Sequence, residues 1–507
     1  MNADTPTAGG LHAQVAALLD RAVARYGDTP ACADLVAARR RLDAPLRVAI
    51  AGKVKAGKST LLNALVGEQL APTDAGECTR VVTWYEDGLT YRVQLEPRDG
   101  PARQVAFKRE DGHLVFGLDG HDPAELDRIR VSWPSSSLRH LTLIDTPGIA
   151  SLSTDVSART TAFLAPEDRP AEADAVCYLM RHLHATDVRF LEAFHDDDAA
   201  HATPMNAVAV LSRADEIGVG RIDAMQTAQR IARRYRTDGQ IRRLCQTVLP
   251  VAGLLAETAA TLRQDEHAAL SALAALPRTD TDPLLLSADR FGAAEAATES
   301  ATGLSAPVRL RLLERFGLFG IRLTLALTRA GSVRSAPDLA SALVEHSGIH
   351  ALRDVLVTQF ADRAELLKAR TALVTLDQVL RRHPVAAEDL DGEVERLLSG
   401  THAFREARLL NALRAGNLAL SSDDAAEAER LLGGHGTDPS SRLGLDAGSD
   451  PDALRAAAAD ALGRWQRRAE HPLTSREGAD AARMVARSCE GVLGDLPHPA
   501  SGEPTAR

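Results

Sequence analysis

One short segment constrains this chain more than any other part of its sequence. Residues 52–60 read Gly-Lys-Val-Lys-Ala-Gly-Lys-Ser-Thr, which fits the pattern GxxxxGK[ST]. An apolar run typical of a buried strand, 46–51, precedes it, and a helical pattern, 60–66, follows it. A glycine-rich turn between strand and helix presents backbone N–H groups and a helix N-terminus to phosphate oxygens. The segment therefore predicts a phosphate-binding loop; a glycine turn without a ligand is the alternative.

The lysines of this chain are concentrated in that loop. Of 59 lysines and arginines five are lysines, and Lys53, Lys55 and Lys58 lie within six residues of one another. Background usage does not produce such a cluster, so the loop is expected to need lysine chemistry. Lys58 is expected to reach the β- and γ-phosphates, and Ser59 to coordinate Mg²⁺. The loop residues predicted to contact the ligand are Gly52, Lys53, Val54, Ala56, Gly57, Lys58, Ser59 and Thr60.

A second motif lies about ninety residues further on. An apolar run, Leu-Thr-Leu-Ile, ends in Asp145, and Gly148 follows three residues later. Asp145 is expected to hold the Mg²⁺ ion through its water shell, and the Gly148 N–H to contact the γ-phosphate. An ordinary turn at a strand end is the alternative.

Hydrolysis of the γ-phosphate also needs a threonine that binds Mg²⁺ and positions the attacking water. Thr79 is chosen because it directly precedes a predicted strand, and Thr73 and Thr83 are competitors.

A third segment predicts which base is bound. The strand pattern at 207–211 leads into Ser212, Arg213 and Asp215. Guanine-specific P-loop proteins carry [NT]KxD here, and the aspartate accepts hydrogen bonds from the guanine N1–H and 2-amino group. Serine and arginine replace the first two residues, and a guanidinium can stack on a base as a lysine stem does. We interpret the segment as guanine recognition, with a polar strand-end turn as the alternative, and expect Gly253 to add a backbone contact.

Strand-like and helical segments alternate through the first half of the chain. Apolar runs typical of strands occur at 46–51, 80–85, 91–95, 128–133, 141–145, 173–180, 206–211 and 247–251. This alternation predicts an α/β fold with a mostly parallel sheet and helices on both faces. After Gly253 the patterns are helical, apart from a loop of small residues expected at 292–307.

Composition shifts and breaks predict five regions. They are a disordered tail at 1–10, two helices at 11–44 that join a helical stalk, a nucleotide-binding domain at 45–360 with a helical insertion around 254–346, the stalk at 361–496, and a disordered tail at 497–507. Within the insertion, the apolar segment 317–321 is either a buried helix junction or an exposed contact.

Charge and composition exclude several functions. The formal net charge of −10 argues against broad nucleic-acid binding, which needs clustered positive charge. Five scattered cysteines argue against a disulfide framework and a zinc site. His195-Asp-Asp-Asp198 is interpreted as a solvated helix end rather than as a metal site. With no signal pattern and no long apolar run, the chain is expected to be intracellular and soluble.

Taken together, these motifs resemble those of the bacterial dynamin-like GTPases. The resemblance rests on the Lys-Ala-Gly-Lys-Ser-Thr core of the phosphate loop and on the segments 78–83, 145–148 and 347–353. Closer similarity, at 56–65, 212–225, 313–321 and 443–446, is to the isoniazid-inducible dynamin-like proteins of mycobacteria and related actinobacteria, in particular their C-type member. That closer resemblance covers most of the chain.

The resemblance implies a dynamin-type P-loop GTPase domain joined to an α-helical bundle stalk. It implies GTP and GDP as ligands, Mg²⁺ as cofactor, and GTP hydrolysis coupled to dimerisation of the GTPase heads. It also implies membrane remodelling or stabilisation by a cytoplasmic protein held peripherally at the inner face of the plasma membrane. A second dynamin-like protein is the implied partner, besides membrane lipids.

Two catalytic details depart from better-known relatives. Eukaryotic dynamins carry a serine where Lys55 stands, and it helps to hold a monovalent cation; we hypothesise that the Lys55 ammonium replaces that cation. A surface lysine that attracts phosphate is the alternative. No glutamine stands directly after Gly148, so slow basal turnover is expected, with Thr79 and the backbone orienting water.

The alternative function is a nucleotide-regulated scaffold that binds a second dynamin-like protein and hydrolyses little GTP itself.

Overall fold

The computed structural model describes residues 8–72, 80–110, 112–148, 172–194, 206–293, 299–300, 302–384, 388–414, 418 and 420–496. Thr79, its competitor Thr73 and the segment 195–198 lie outside these residues, as do 1–7 and 497–507 of the two predicted tails. The predictions made for those positions therefore stay predictions.

The strands concentrate in the first half of the chain. They are β1 Leu46–Gly52, β2 Thr83–Asp87, β3 Arg92–Pro97, β4 Arg103–Val105, β5 Phe107–Glu110, β6 His113–Phe116, β7 Leu126–Trp133, β8 Leu141–Asp145, β9 Ala175–Met180, β10 Ala207–Ser212 and β11 Val248–Val251. Within the described residues, nine of them form one sheet in the order β11-β10-β9-β1-β8-β2-β7-β3-β4, and β5 pairs with β6.

The sheet is parallel at its centre and mixed at one side. Strands β11, β10, β9, β1 and β8 run parallel to one another, and β2 is parallel to β7. By contrast, β2 is antiparallel to β8, and β3 is antiparallel to both β7 and β4. Every residue of β9 and β10 is buried, as expected for strands covered on both faces. The predicted α/β class with a mostly parallel sheet is confirmed.

The sequence patterns missed three short strands. Strands β4, β5 and β6 have only three or four residues each, which is too short for a clear apolar run, and β4 and β5 expose most of their side chains. The strand expected at 80–85 begins only at Thr83.

The helices lie before, between and after the strands. Those of the first half are α1 Ala8–Tyr26, α2 Pro30–Asp43, α3 Lys58–Val66, α4 Ala185–Phe194, α5 Ala224–Thr237 and α6 Gly239–Leu244. The later ones are α7 Gly253–Ala260, α8 Gln264–Ala275, α9 Arg278–Leu284, α10 Ala288–Gly292, α11 Ala306–Arg329, α12 Ala336–Ser347, α13 Ile349–Val355, α14 Ala364–Arg382, α15 Glu388–Gly400, α16 His402–Arg414, α17 Ser422–Leu431, α18 Pro439–Leu443, α19 Pro451–Glu470 and α20 Arg476–Asp495.

Helices cover both faces of the sheet. On one face Val48 and Ile50 of β1 pack in a core with α3 and α13. On the other face Ala49 and Tyr178 pack with side chains of α4, α5 and α6. Burying apolar side chains on both faces is the arrangement that a parallel sheet requires.

A third core joins the helices α7 to α12 beside the end of β10. Phe316 and Phe319 are buried in it, and the backbone of α11 breaks at Gly317, where φ is 60°. The segment 317–321 is thus a buried helix junction, not an exposed contact. Part of the segment 292–307, for which the sequence predicts a loop, is helical. Residue Gly292 ends α10, residues 299, 300 and 302 are helical, and α11 begins at Ala306 with Pro307 in its first turn.

The remaining helices form two further cores. Helices α1, α2, α14 and α15 share one, and α16 to α20 share the other around Trp465. A turn of π-helix, Leu356–Ala361, separates α13 from α14, and together they run from the sheet into the core of α1 and α2. Among the described helices, none combines the length and apolar composition that a bilayer span needs.

Candidate nucleotide-binding site

The loop between β1 and α3 needs glycine at its first position. Gly52 has φ of 152°, and a Cβ added there would lie 2.5 Å from the carbonyl oxygen of Leu179. Gly57, with φ of 91°, precedes the first turn of α3. Lys55 also has positive φ, 61°, which is uncommon for a residue with a side chain. The loop therefore curls tightly, with the N-terminus of α3 directed into its concave side.

Lys58 occupies the centre of this loop. Its Nζ lies 3.3 Å from the carbonyl oxygens of both Gly52 and Lys53, and the residue is 9% exposed. Burial lowers the pKa of Lys58, and the nearby Asp145 carboxylate opposes that effect. A buried ammonium held by two carbonyls is poised for an anionic ligand.

Ser59 and Asp145 form the second element of the site. The Ser59 hydroxyl donates to Asp145 Oδ2 at 2.8 Å. Asp145 Oδ1 is buried and finds no hydrogen-bond partner among the described residues. Burial raises the pKa of Asp145, while Lys58 and the Ser59 hydroxyl oppose that rise. A hydroxyl beside a carboxylate with an unused buried oxygen suits a hard divalent cation.

The segment after β8 is pinned against the loop. The Thr146 hydroxyl donates to the carbonyl oxygen of Ile50 at 3.0 Å. A Cβ on Gly148 would lie 2.5 Å from Val54 Cγ2 and 2.9 Å from Val54 Cα. Gly148 thus lies directly against the phosphate loop. Thr83 is paired in register with Asp145, and its hydroxyl donates to the carbonyl oxygen of Val81 at 3.4 Å.

A pocket of about 100 Å³ opens beside the loop. Residues from the loop, from the ends of three strands and from α7 line it: Ala56, Gly57, Thr60, Leu61, Leu179, Val210, Ser212, Arg213, Asp215, Glu216, Val251, Gly253 and Leu254. Every residue that the sequence singled out for base recognition is among them. The carboxyl ends of parallel strands are where ligands bind in open α/β sheets.

Asp215 is the buried acid of this pocket. It is 6% exposed, and burial raises its pKa to about 6. Gly317, at the break in α11, lies so close that an added Cβ would be 3.7 Å from Asp215 Oδ2. Arg213 forms an ion pair with Glu216 at 2.6 Å instead of extending freely, and Ser212 donates to the carbonyl oxygen of Met180 at 3.3 Å.

A buried acid that the sequence reading missed holds the loop from a second side. Lys53 Nζ lies 3.1 Å from Asp187 Oδ2, and the Tyr178 hydroxyl donates to Asp187 Oδ1 at 2.7 Å. Asp187 also accepts from the backbone N–H of His184. Its place in the first turn of α4, after a buried strand, was the available signal. The side chain of Lys53 is thus occupied by Asp187.

A second missed residue, Asn63, connects α3 to the segment that follows it. Its amide donates to the carbonyl oxygen of Ala71 at 3.0 Å and to Glu257 Oε1 at 2.9 Å. Its oxygen accepts from the backbone N–H groups of Leu70 and Ala71. A fully satisfied buried amide of this kind rigidifies its surroundings. A lone Asn in a helical pattern carries no signal for such a role.

The structure therefore brings most predicted residues to one cleft. Within the loop lie Gly52, Lys58 and Ser59, and next to it lie Asp145 and Gly148. Gly253, which begins α7, lies close to α3, since its added Cβ would be 3.7 Å from Thr60 Cγ2. Lys55 is exposed at the apex of the loop. Thr79 is outside the described residues, so its distance from Asp145 is not part of this geometry.

Comparison with known proteins gives concordant results. The model of the dynamin family matches residues 48–192. The isoniazid-induced protein IniC of Mycobacterium tuberculosis H37Rv is 44% identical over 457 residues, which cover 90% of this chain and 91% of IniC. IniA of the same strain is 34% identical over 152 residues, 28% of this chain and 22% of its own.

A solved structure described as an oligomerised bacterial dynamin pair aligns over 96% of this chain and 74% of its own, with a TM-score of 0.31 and 12% identity. The match to IniC spans nearly the whole of both chains, and the family match contains both the phosphate loop and Asp145. The chain belongs to the dynamin family, in the branch that includes the isoniazid-induced protein IniC.

Proposed function

We propose that this chain binds GTP and hydrolyses it to GDP and phosphate. The observation that carries the proposal is the single cleft in which the phosphate loop, with buried Lys58, meets the Ser59–Asp145 pair and opens onto the pocket closed by Asp215. Lys58 neutralises charge on the terminal phosphates, and Asp215 accepts from the two guanine N–H donors that adenine lacks.

Mg²⁺ fits the residues present. Ser59 and Asp145 would hold it, directly or through water, with Thr79 as the further ligand proposed from the sequence. The unused buried oxygen of Asp145 supports this assignment. The ion would supply charge neutralisation between the terminal phosphates. Asp145 and Thr146, tied to β1, keep Gly148 beside Val54, where its N–H is proposed to report the γ-phosphate.

Turnover is proposed to be slow. The sequence has no glutamine after Gly148, so Thr79 and backbone groups must orient the attacking water. Lys55 is proposed to act as the cation beside the bridging oxygen. Its left-handed backbone and its exposed side chain, with no hydrogen-bond or ion-pair partner among the described residues, leave the ammonium available for this role.

Beyond hydrolysis, we propose that nucleotide-dependent dimerisation of the GTPase regions is coupled to membrane remodelling or stabilisation at the inner face of the plasma membrane. Membership of the dynamin family supports this proposal. Similarity to both IniC and IniA supports a second dynamin-like chain as partner. Lipid contact is proposed as peripheral.

The test is phosphate release from the purified chain with GTP or ATP, with and without anionic liposomes. We expect release with GTP, little with ATP, and acceleration by liposomes or by a partner chain. The Lys58→Ala chain provides the background rate. Equal rates with GTP and ATP would contradict guanine selectivity, and release that persists in Lys58→Ala would assign the activity to a contaminant.

The scaffold alternative has one observation in its favour. Arg213 is held by Glu216, which Arg181 also contacts, so it is not free to cover a base as the family lysine does. If the chain binds GTP tightly but releases no phosphate with liposomes or partner, the scaffold role replaces the enzymatic one.

Nucleotide affinity should depend on the protonation of Asp215. Only the ionised carboxylate accepts from both guanine N–H groups, and burial raises the pKa of Asp215 to about 6. We therefore expect this group to weaken GDP binding about tenfold between pH 7 and pH 5. The measurement is a calorimetric titration across that range.

The matched control is Asp215→Asn, which keeps the phosphate titration of GDP itself but removes the carboxyl. Its GDP affinity should be lower, and that affinity should depend less on pH. The stability of the nucleotide-free chain should change with pH in the opposite direction: a carboxyl with a raised pKa favours folding at low pH, and that contribution is lost as pH rises through about 6. Identical pH slopes for the two chains would refute the assignment.

A further inference from the structure

A second basic pocket lies near the amino end of β1, away from the phosphate loop. Its volume is about 310 Å³. Six charged residues of the described ranges line it. They are Asp34 and Arg41 of α2, Arg47 of β1, Arg128 of β7, Lys368 of α14, and Glu172, which lies just before β9. The lining thus comes from the sheet and from α2 and α14, which belong to the helical bundle formed by α1, α2, α14 and α15. A ligand here would contact the sheet and this bundle at once.

Two of the four cations are matched by carboxylates. Arg41 forms a buried ion pair with Asp174 at 2.7 Å. Arg128 lies 2.9 Å from Glu172 and also contacts Asp127 and Glu96. These pairs hold the walls of the pocket in place, but in the part of the chain that the structure describes neither Asp174 nor Glu172 forms an ion pair with Arg47 or Lys368.

The other two cations lack such partners. Lys368 donates to the carbonyl oxygen of Ala44 at 3.0 Å. The Arg47 guanidinium lies over the ring of Trp84, 4.6 Å from its centroid. Among the described residues, no carboxylate is within ion-pair distance of either side chain. Asp34, on the exposed rim, forms no ion pair with them.

Arg47 has an unusually low pKa for an arginine. Burial, together with the neighbouring Arg41 charge, lowers the pKa of Arg47 to about 10, although Asp174 and Glu172 oppose the effect. Burial is the main cause, so the charged guanidinium has lost part of its hydration. The oxygens of an anion in the pocket would replace that hydration and offset the Arg41 charge.

Lysine usage gives an independent indication. Outside the phosphate loop the chain has two lysines, Lys108 and Lys368. Lys108 is an exposed residue paired with Glu110, whereas Lys368 lines this pocket. A compact ammonium beside a guanidinium is a combination suited to phosphate oxygens.

We propose that this pocket binds a small phosphate-bearing anion that bridges the sheet and the helical bundle through Arg47 and Lys368. The site is distinct from the phosphate loop, because Gly52 lies five positions further along β1 than Arg47, a span of roughly 16 Å. The proposal does not depend on GTP hydrolysis. Bound phosphate would draw α14 and β1 together, so occupancy would stiffen the junction between the GTPase region and the bundle.

The test is a calorimetric titration of the full chain, saturated with GDP and Mg²⁺, with pyrophosphate. The variants are Arg47→Gln and Lys368→Gln, and Lys108→Gln is the control that removes an equal charge elsewhere. We expect pyrophosphate binding in the wild-type and Lys108→Gln chains, and at least about tenfold weaker binding in the other two. Repeating the titration in a Lys58→Ala background separates this site from the phosphate loop whether or not GDP binds.

A second arm identifies the source of the phosphate. Sedimentation with phosphatidylcholine vesicles, with and without phosphatidic acid, tests a lipid headgroup as ligand. Vesicle binding that needs phosphatidic acid and is lost in Arg47→Gln and Lys368→Gln would assign the pocket to lipid, whereas pyrophosphate binding alone would assign it to a soluble anion. If both arms give the same result for Lys368→Gln as for Lys108→Gln, the proposal is wrong. Thermal unfolding without anion checks that each variant is folded.

Discussion

Replacement of Lys58 by alanine is expected to weaken GTP binding at least about a hundredfold. The Lys58 ammonium is held at the loop centre by the carbonyl oxygens of Gly52 and Lys53, each 3.3 Å away. Losing one preorganised charge-assisted contact to a polyphosphate costs roughly 3 kcal/mol, which corresponds to about two orders of magnitude. The measurement is the dissociation constant of a slowly hydrolysed GTP analogue.

Stability distinguishes this loss from unfolding. Because burial lowers the pKa of Lys58 below its ordinary value, its charge opposes folding at neutral pH in the free chain. Lys58→Ala should therefore melt no earlier than the wild-type chain without nucleotide, while losing the stabilisation that GTP provides. Lys108→Ala, at an exposed lysine, should change neither property. A lower melting temperature of nucleotide-free Lys58→Ala than of the wild-type chain would contradict the assignment of Lys58 to ligand binding rather than to folding.

Gly348→Ala is expected to destabilise the chain by about 3 kcal/mol or more. Gly348 has φ of 77°, and an added Cβ would overlap the carbonyl oxygen of Pro250. A left-handed residue with a side chain costs roughly 1–2 kcal/mol, and the overlap with rigid backbone adds a similar amount. Because Pro250 belongs to β11, which leads into Gly253, the base pocket should be disturbed as well. Urea denaturation measures the loss.

Two glycines serve as matched controls. Gly27 has φ of 53° but no described atom within 4 Å of an added Cβ, so Gly27→Ala reports the left-handed cost alone, about 1 kcal/mol. Gly491 lies inside α20 with open space around it, and Gly491→Ala should stabilise by roughly 0.5–1 kcal/mol. Equal losses for Gly348→Ala and Gly27→Ala would show that Pro250 does not restrict the site.

The main elements of the cleft could be read from the sequence because each motif is local. The phosphate loop needs glycines at fixed spacing, Asp145 ends one buried strand, and Asp215 follows another. Parallel strands bring their carboxyl ends to one edge, so residues far apart in sequence converge there. The assignments of Thr79, Lys55 and the guanine-reading residues stay predictions until nucleotide binding is measured.

Other features had no local signature. The ion pair between Lys53 and Asp187 joins residues 134 positions apart, and the Asn63–Glu257 bond joins residues 194 apart. The strands β4 to β6, with three or four residues each, are too short to show a period. Such contacts depend on which elements become neighbours, and spacing along the chain does not encode that.

By itself the sequence determined the α/β class, the phosphate loop and the strand-end acids, because periodicity, glycine positions and strand ends are local properties of the backbone. Only the tertiary structure decided that Gly317 lies beside Asp215, that a side chain at Gly348 would overlap Pro250, and that Arg47 and Lys368 share a pocket. The physical reason is that burial, steric overlap and unmatched charge arise from neighbours distant in sequence, and these exist only once the chain has folded.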